Sequence, residues 1–290
     1  MDMGDYFSRI HYNGSSEKCD HQTLKDILIH HIRAVPFEGL SIHCEEAIDL
    51  DIEAIYKKIV WKGRGGWCFE QNHLLFWALK TMGYEVTMLG ANVYLPLQQM
   101  YSSNLSHLVL KVVVDGRAYL VDGSYGSEYQ MWEPMLLISG RDQPQVPGTF
   151  RLTAINGVWH FDKVKRKQYV LGDKVPDFDL QDKAECCKVY RFTLEERMIE
   201  HFLPMNSLLQ TSPESLFRKK SYCSLQLTNG VRALVGLKFT EMKYNHKDNM
   251  DLMEFTKVKE EEMEMILREK FNLILGRTFV PVNIGGIYLL

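Results

Sequence analysis

The sequence predicts an α+β chain with a helical first third, a strand-rich middle and a mixed last third. Three observations carry that reading. Apolar residues recur at helical spacing as far as Gly83, short β-branched runs replace them from about Glu85, and Asp-Gly and Asn-Gly dipeptides punctuate those runs. With 290 residues the chain buries a large core and divides into two or three packed units.

Asp20 reads as the N-cap of the first clear helix, with Leu24, Ile27, Leu28 and Ile32 on one face until Pro36 stops the run. A second helix starts near Asp51 and carries Ile55, Tyr56, Ile59 and Val60. The break Gly63-Arg64-Gly65-Gly66-Trp67 follows, and Cys68 then opens a helix that Gly83 ends. Residues 85–94 are β-rich and 107–114 form a strand, which the Asp115-Gly116 turn returns through 117–122. Strand-like pieces continue at 150–153, 158–161 and 188–192, a run of short strands that suggests a barrel or sandwich. A helix is expected to begin after Thr193, followed by a hairpin of 224–227 and 231–239 turning at Asn229-Gly230. Residues 260–271 read as an amphipathic helix with Met263, Ile266, Leu267 and Phe271 on one side. The charged stretch 257–264 reads as a solvated face rather than a binding tail.

Composition is that of an ordinary soluble protein: 46% hydrophobic, 24% charged and 11% aromatic. A net charge of −3 offers no electrostatic capture of nucleic acid or of an anionic membrane. No apolar run approaches the ~18 residues of a membrane span. The opening Met1-Asp2-Met3-Gly4-Asp5 reads neither as a secretory leader nor as a myristoylation signal. Cys19, Cys44, Cys68, Cys186, Cys187 and Cys223 are scattered without a CxxC pair. Neither a disulfide framework nor a metal site is therefore expected, and a reducing cytoplasm fits. The sequons at Asn13 and Asn104 read as chance matches in such a setting.

Chemistry concentrates at Cys68. A thiol where glycines stop and a helix begins meets unpaired N–H groups and the positive end of the helix dipole, which favours the nucleophilic thiolate. The glycines let backbone and ligand approach each other closely. A reactive cysteine needs a base, and the base needs an orienting group. Around the Asp115-Gly116 turn Val114 faces Arg117. Counting outward sets Asp122 opposite Val109 and His107 opposite Ser124. His107 and Asp122 then become diagonal neighbours on one face, ~7–8 Å apart at the backbone, and a slip of one residue would separate them. An aspartate in that place fixes the imidazole tautomer. Other histidines are weaker candidates. His30 and His31 lack a metal-spaced partner, His43 points away from Cys44 in extended chain, and His73, one turn beyond Cys68, suits packing or capping. The counting does not by itself bring the hairpin beside the Cys68 helix.

The chain resembles the arylamine N-acetyltransferase family, in a vertebrate-like form. The matching pieces are Ile32-Arg33-Ala34-Val35-Pro36-Phe37-Glu38, Arg64-Gly65-Gly66-Trp67-Cys68, Ser106-His107-Leu108, Tyr119-Leu120-Val121-Asp122, Tyr129-Gln130-Met131-Trp132, Leu209-Gln210-Thr211-Ser212-Pro213 and Tyr244-Asn245-His246-Lys247-Asp248-Asn249, with the long stretch 138–147 between them. They span nearly the whole chain in order. The resemblance implies an N-terminal helical bundle (1–83) carrying Cys68, a central β-barrel (84–192) carrying His107 and Asp122, and a C-terminal α/β lid (193–290), around a Cys-His-Asp thiol-enzyme core. It implies acetyl transfer from acetyl-CoA, without a metal, to aromatic amines, hydrazines or N-hydroxyarylamines through an acetyl-Cys68 thioester. Ser102, Ser103 and Asn104 match the CoA-binding loop. Phe37, Val93, Ser106, Tyr125, Ser127 and Tyr129, with His107, match the acceptor pocket. Glu38 and Arg64 match a pair that braces the helices behind the cysteine, where a surface ion pair is the other reading. A cytoplasmic monomer is expected.

The chain also departs from the family pattern. Gly123-Ser124-Tyr125 stands where a small residue, glycine and an aromatic are usual, Gly39 replaces asparagine, and Asn104 replaces glycine. Met100 replaces a basic residue, Leu208 a tyrosine that contacts CoA, and Glu214 a small hydroxyl residue. The tail 285–290 is apolar and lacks a CoA-contacting hydroxyl. These changes bear on CoA affinity and acceptor choice and leave the triad untouched. A transglutaminase or thiol protease shares the chain order Cys, His, Asp. A non-catalytic CoA-binding protein is the third reading.

Overall fold

A computed structural model describes residues 1–171, 186–247, 249–277 and 279–284. The first helices follow their caps. Asp20 accepts the Thr23 N–H at 2.8 Å and opens His21–Ala34. Asp51 accepts from Glu53 and Ala54 and opens Ile52–Tyr56. The expected second helix does not continue as one α-helix: Lys57–Trp61 widens into a π-turn that still buries Ile59 and Val60. Cys68–Met82 is the next helix, and Gly83 ends it. Its Leu74, Leu75, Ala78 and Leu79 are buried in the core shared by the helices and one face of the neighbouring sheet.

That sheet is nine-stranded and nearly closes on itself. Its path runs Met135–Leu136, Arg117–Val121, His107–Val114, Glu85–Leu95, Cys186–Glu196, Val158–Val164, Gly148–Ile155 and Asp142–Gln145, with Met100–Tyr101 paired beside Glu85–Leu95. Gln143 joins the two ends, accepting the Leu136 N–H at 2.9 Å and donating to its carbonyl at 3.0 Å. Inside lie Leu89, Val109, Leu120, Phe150, Phe161, Tyr190 and Phe192. The hairpin register is the one the turn dictates: Val114 pairs with Arg117 and Leu110 with Val121. Asp115 and Gly116, at φ 51° and 72°, form the left-handed turn that suits strand twist.

A second, six-stranded sheet mixes distant parts of the chain, in the order Phe37–Glu38, Tyr222–Gln226, Gly230–Val235, Lys238–Lys247, Met250–Lys257, Lys167–Leu171. Two expectations need correction here. No helix begins after Thr193, because the strand runs on to Glu196, which pairs with Leu89. A 3₁₀ turn at Ile199–Phe202 then leads into Leu203–Thr211. The hairpin turns at Thr228-Asn229 rather than Asn229-Gly230, since Gln226 pairs with Val231, and a further turn at Gly236 divides 231–239 into two strands. The last helix, Met263–Phe271, follows a 3₁₀ turn at Glu260–Glu262 and buries Met263, Leu267 and Phe271 against the sheet. Asp248 and the tail 285–290 lie outside the described residues.

The break before Cys68 is braced by buried charge. Glu38 is fully buried and Arg64 is 5% exposed. Arg64 donates to both Glu38 oxygens, at 3.0 and 3.3 Å, and also to Glu46 and Ser41. Glu38 further accepts the N–H groups of Leu40 and Gly65. Burial opposes the charge on Glu38, but Lys58 and Arg64 outweigh it and hold the carboxyl below its usual range. Gly65 is required by the close approach of the chain to itself, since a Cβ there would lie 2.1 Å from the Pro36 carbonyl. The pair is thus internal, and Glu38→Ala should destabilise the protein by ~3–5 kcal/mol in urea unfolding, because buried Arg64 loses its buried counter-charge and keeps only the partly exposed Glu46. A loss within the ~0–1 kcal/mol of an exposed pair would contradict this.

Candidate active site

Cys68 is the first residue of its helix and is 6% exposed. Two neighbours set the entry into that helix. Glu70 accepts the Trp67 N–H at 3.1 Å and pairs with Lys58 at 2.7 Å, and Gln71 donates to the carbonyls of Pro36 and Gly66. The Cys68 N–H, in the first turn, has no intrahelical acceptor. Its sulfur lies 3.9 Å from the Ser106 carbonyl. The residue after Ser106 is His107, so the strand that starts there delivers an imidazole to the thiol.

His107 and Asp122 meet as the hairpin counting requires. The β-ladder itself ends at Leu110 and Val121, and Asp122 lies one residue beyond it. His107 Nε2 and Asp122 Oδ2 are 2.7 Å apart, with both residues almost fully buried. The other ring nitrogen is left for Cys68. Burial alone would lower the imidazole pKa, but the Asp122 carboxylate and the neighbouring Cys68 side chain outweigh burial and raise it to about 10. Burial likewise works against the Asp122 charge. The imidazolium and hydrogen bonds from His107, Asn72 and the Ser124 N–H hold that carboxyl below its ordinary value. Because the folded imidazole titrates above its unfolded value of ~6.5, the stabilisation from this charge pair is complete below ~6.5 and fades as pH rises through about 10. A thiol, a protonated imidazole and a buried carboxylate in this order form a nucleophile with its proton carrier and orienting group.

Sequence reasoning missed Asn72. It stands one turn after Cys68, and its amide donates to Asp122 Oδ1 at 3.0 Å and to the Leu108 carbonyl at 2.7 Å. Its oxygen accepts the Gly123 N–H at 2.8 Å. This side chain therefore ties the Cys68 helix to the hairpin. The available signal was its position four residues after the cysteine, on the same helix face. Tyr190, also missed, places its ring 5.2 Å from His107.

The other expected site residues divide. Tyr125 packs edge-on against His107 with ring centres 5.3 Å apart, and Tyr129 lies 6.2 Å beyond Tyr125. Phe37 packs against Gly126, which has φ 79° and where a Cβ would lie 2.2 Å from the ring. Ser127 is buried and its hydroxyl accepts the Tyr129 N–H, which occupies it within the loop. Ser106 accepts the Val93 N–H and shares a 2.6 Å hydrogen bond with Ser102, so Val93 and Ser106 fix the loop that reaches Cys68. Ser103 and Asn104 are exposed at the tip of that loop, and the Asn104 carbonyl accepts from Asn92 and Ser102. Met100 and Leu208 are exposed, and Glu214 pairs with Lys219. His30, His31, His43 and His73 each bond a carbonyl or hydroxyl elsewhere and do not reach the thiol.

Known proteins resemble this chain in sequence and in fold. The N-acetyltransferase family model matches residues 20–280. A pineal gland arylamine N-acetyltransferase of chicken, isozyme NAT-3, is 57% identical over 289 residues, covering all of both chains. Human arylamine N-acetyltransferase 1 is 51% identical, covering 97% of each. Among solved structures, the arylamine N-acetyltransferase of Mycobacterium smegmatis superposes with a TM-score of 0.80 at 26% identity, covering 96% of this chain and 95% of that one. A Mycobacterium marinum enzyme solved in complex with CoA gives a TM-score of 0.77 at 23% identity, covering 93% and 92%. The likeness in sequence runs from end to end and the fold is shared. The chain therefore belongs to the arylamine N-acetyltransferase family and is an acyltransferase.

Proposed function

We propose that the protein transfers the acetyl group of acetyl-CoA to an arylamine, arylhydrazine or N-hydroxyarylamine through an acetyl-Cys68 thioester. The observation that carries this reading is the buried His107–Asp122 pair, 2.7 Å long, beside a cysteine at a helix start. The names of the relatives supply the arylamine acceptor and the acetyl group, and the family match weighs against the transglutaminase, protease and scaffold readings.

In the first half-reaction Cys68 Sγ attacks the acetyl carbonyl, and the C–S bond to CoA breaks. The departing sulfur takes the proton of the His107 imidazolium and leaves as the thiol. Negative charge develops on the carbonyl oxygen, and the Cys68 N–H is a donor for it by position. In the second half-reaction the amine attacks the thioester, His107 takes the amine proton, and Cys68 leaves as thiolate. The ion pair is thereby restored. The fit to the donor rests on the loop of Ser102, Ser103 and Asn104, whose far end lies against the Cys68 sulfur and whose tip is exposed. Phe37, Val93, Tyr125 and Tyr129 supply apolar and flat surfaces for an aromatic acceptor. A division into folding units at 1–83, 84–192 and 193–290 follows the same resemblance. Free cysteines fit a reducing cytoplasm, and a monomer follows from the same resemblance.

Double-reciprocal plots at several fixed acceptor concentrations should give parallel lines, since CoA leaves before the amine binds, and converging lines would count against this order. Asp122→Asn should lower the transfer rate by roughly 10³–10⁴-fold while circular dichroism stays unchanged, because the imidazole loses the charge that holds its proton. A fall of less than about tenfold would remove Asp122 from the mechanism. Iodoacetamide should alkylate Cys68 at a near-plateau rate at neutral pH, whereas a rate that follows free-thiol titration near ~8.5 would mean that no ion pair forms.

A further inference from the structure

The loop that carries Tyr125 and Tyr129 rests on a buried charge cluster that the acetyl-transfer chemistry does not use. Glu128 lies between Ser127 and Tyr129 and is 5% exposed. One of its carboxylate oxygens pairs with Lys165 Nζ, and the other accepts Gln168 Nε2 at 3.1 Å. Its backbone carbonyl accepts from Lys163 Nζ, a side chain only 1% exposed. The Lys165 ammonium lies 4.5 Å from the centre of the Tyr129 ring, and that of Lys163 lies 5.7 Å from it. Arg166 is engaged elsewhere, by Asp251 at 2.7 Å. Glu128 is thus the carboxylate that faces both lysines. Burial pushes Lys163 down to about 8 despite the nearby Glu128 charge, so Lys165 is the firmer cation of the two.

The neighbouring peptide groups are held by uncharged partners. Tyr222 and Ser224 both donate to the Gly126 carbonyl, and Gln226 donates to that of Ser127 at 3.0 Å. Tyr125 is fixed separately, its N–H donating to Gln130 at 2.6 Å and its ring packing on His107. The charged partners Lys163 and Lys165 sit at the Glu128–Tyr129 end of the loop. An ammonium over a ring face holds the ring by cation–π attraction, and a carboxylate buried without its partner drives its loop toward water.

We propose that the Glu128–Lys165 pair is a specificity device of the acceptor site: it pins the Tyr129 ring and so presets the pocket for a flat aromatic amine. The proposal rests on the acetyl-transfer reading and names positioning residues for its second half. The donor loop at Ser102–Asn104 belongs to another segment, so the first half-reaction is independent of the pair.

The test uses the full chain, acetyl-CoA, and aniline and 4-substituted anilines as acceptors. Acetylation of Cys68 is followed by intact mass in the absence of amine, and acceptor KM in steady state. Lys165→Met should raise the acceptor KM roughly tenfold, change the ratio between aniline and its 4-substituted forms, and leave the rate of Cys68 acetylation within about twofold. Lys165→Arg, which keeps the charge over the ring, should restore wild-type behaviour. A Lys165→Met enzyme with unchanged acceptor KM, or one slowed equally in Cys68 acetylation, overturns the proposal. If Lys165→Met fails to fold, Glu128→Gln carries the same expectation and the same overturning results. Wild-type protein that takes up no acetyl group on Cys68 would instead overturn the acetyl-transfer reading itself, which separates the two failures.

Discussion

A carboxylate buried without water must be compensated locally, and Asp122 is compensated by the groups that form the site. His107 supplies the charge, while Asn72 and the Ser124 N–H supply hydrogen bonds to the remaining oxygen. The electrostatic consequence passes along the row. A carboxylate that stays ionised in a low-dielectric interior keeps the imidazole beside it protonated. The structural consequence is equally direct. Asn72 belongs to the Cys68 helix and Asp122 to the hairpin, so satisfying one charge also docks the helix on the nearly closed sheet.

The segment leading into Cys68 is positioned by a second buried charge system. Arg64 spreads its donors over Glu38, Glu46 and Ser41, and Glu38 turns its remaining capacity to the N–H groups of Leu40 and Gly65. The Glu38 N–H also donates to the Gly66 carbonyl, and the Gly66 N–H donates to the Pro36 carbonyl. The short glycine break is therefore clamped on both sides before Cys68 begins its helix. The loop of Tyr125 and Tyr129 follows the same logic with different partners: neutral side chains of the six-stranded sheet hold the carbonyls of Gly126 and Ser127, and lysines hold Glu128. Two loops of little regular structure thus reach fixed geometry because their polar groups are taken up by rigid neighbours.

Much of this was legible in the chain. The caps at Asp20 and Asp51, the Gly83 stop and the Asp115-Gly116 turn are local chemistry, and each marks the end of an element as expected. The pairing of His107 with Asp122 was legible for the same reason, since a two-residue turn sets the register and the register sets which residues share a face. Local signals failed where a distant partner decided the outcome. The strand past Thr193 continues because Leu89 pairs with Glu196, and the Asn229-Gly230 dipeptide yields the turn to Thr228-Asn229 because Gln226 pairs with Val231.

By itself the sequence determined the helix that Cys68 opens, the His107–Asp122 hairpin and the family pattern, because each depends on residues close together in the chain or on ordered motifs. Only the tertiary structure decided that Asn72 joins helix to hairpin, that Glu38 and Arg64 are an internal pair rather than a surface one, and that Lys163 and Lys165 lie against the loop of Tyr125 and Tyr129. Those three contacts link residues 50, 26 and 37 positions apart. A buried charge selects its partner by proximity in the packed interior, and spacing along the chain carries no record of that proximity.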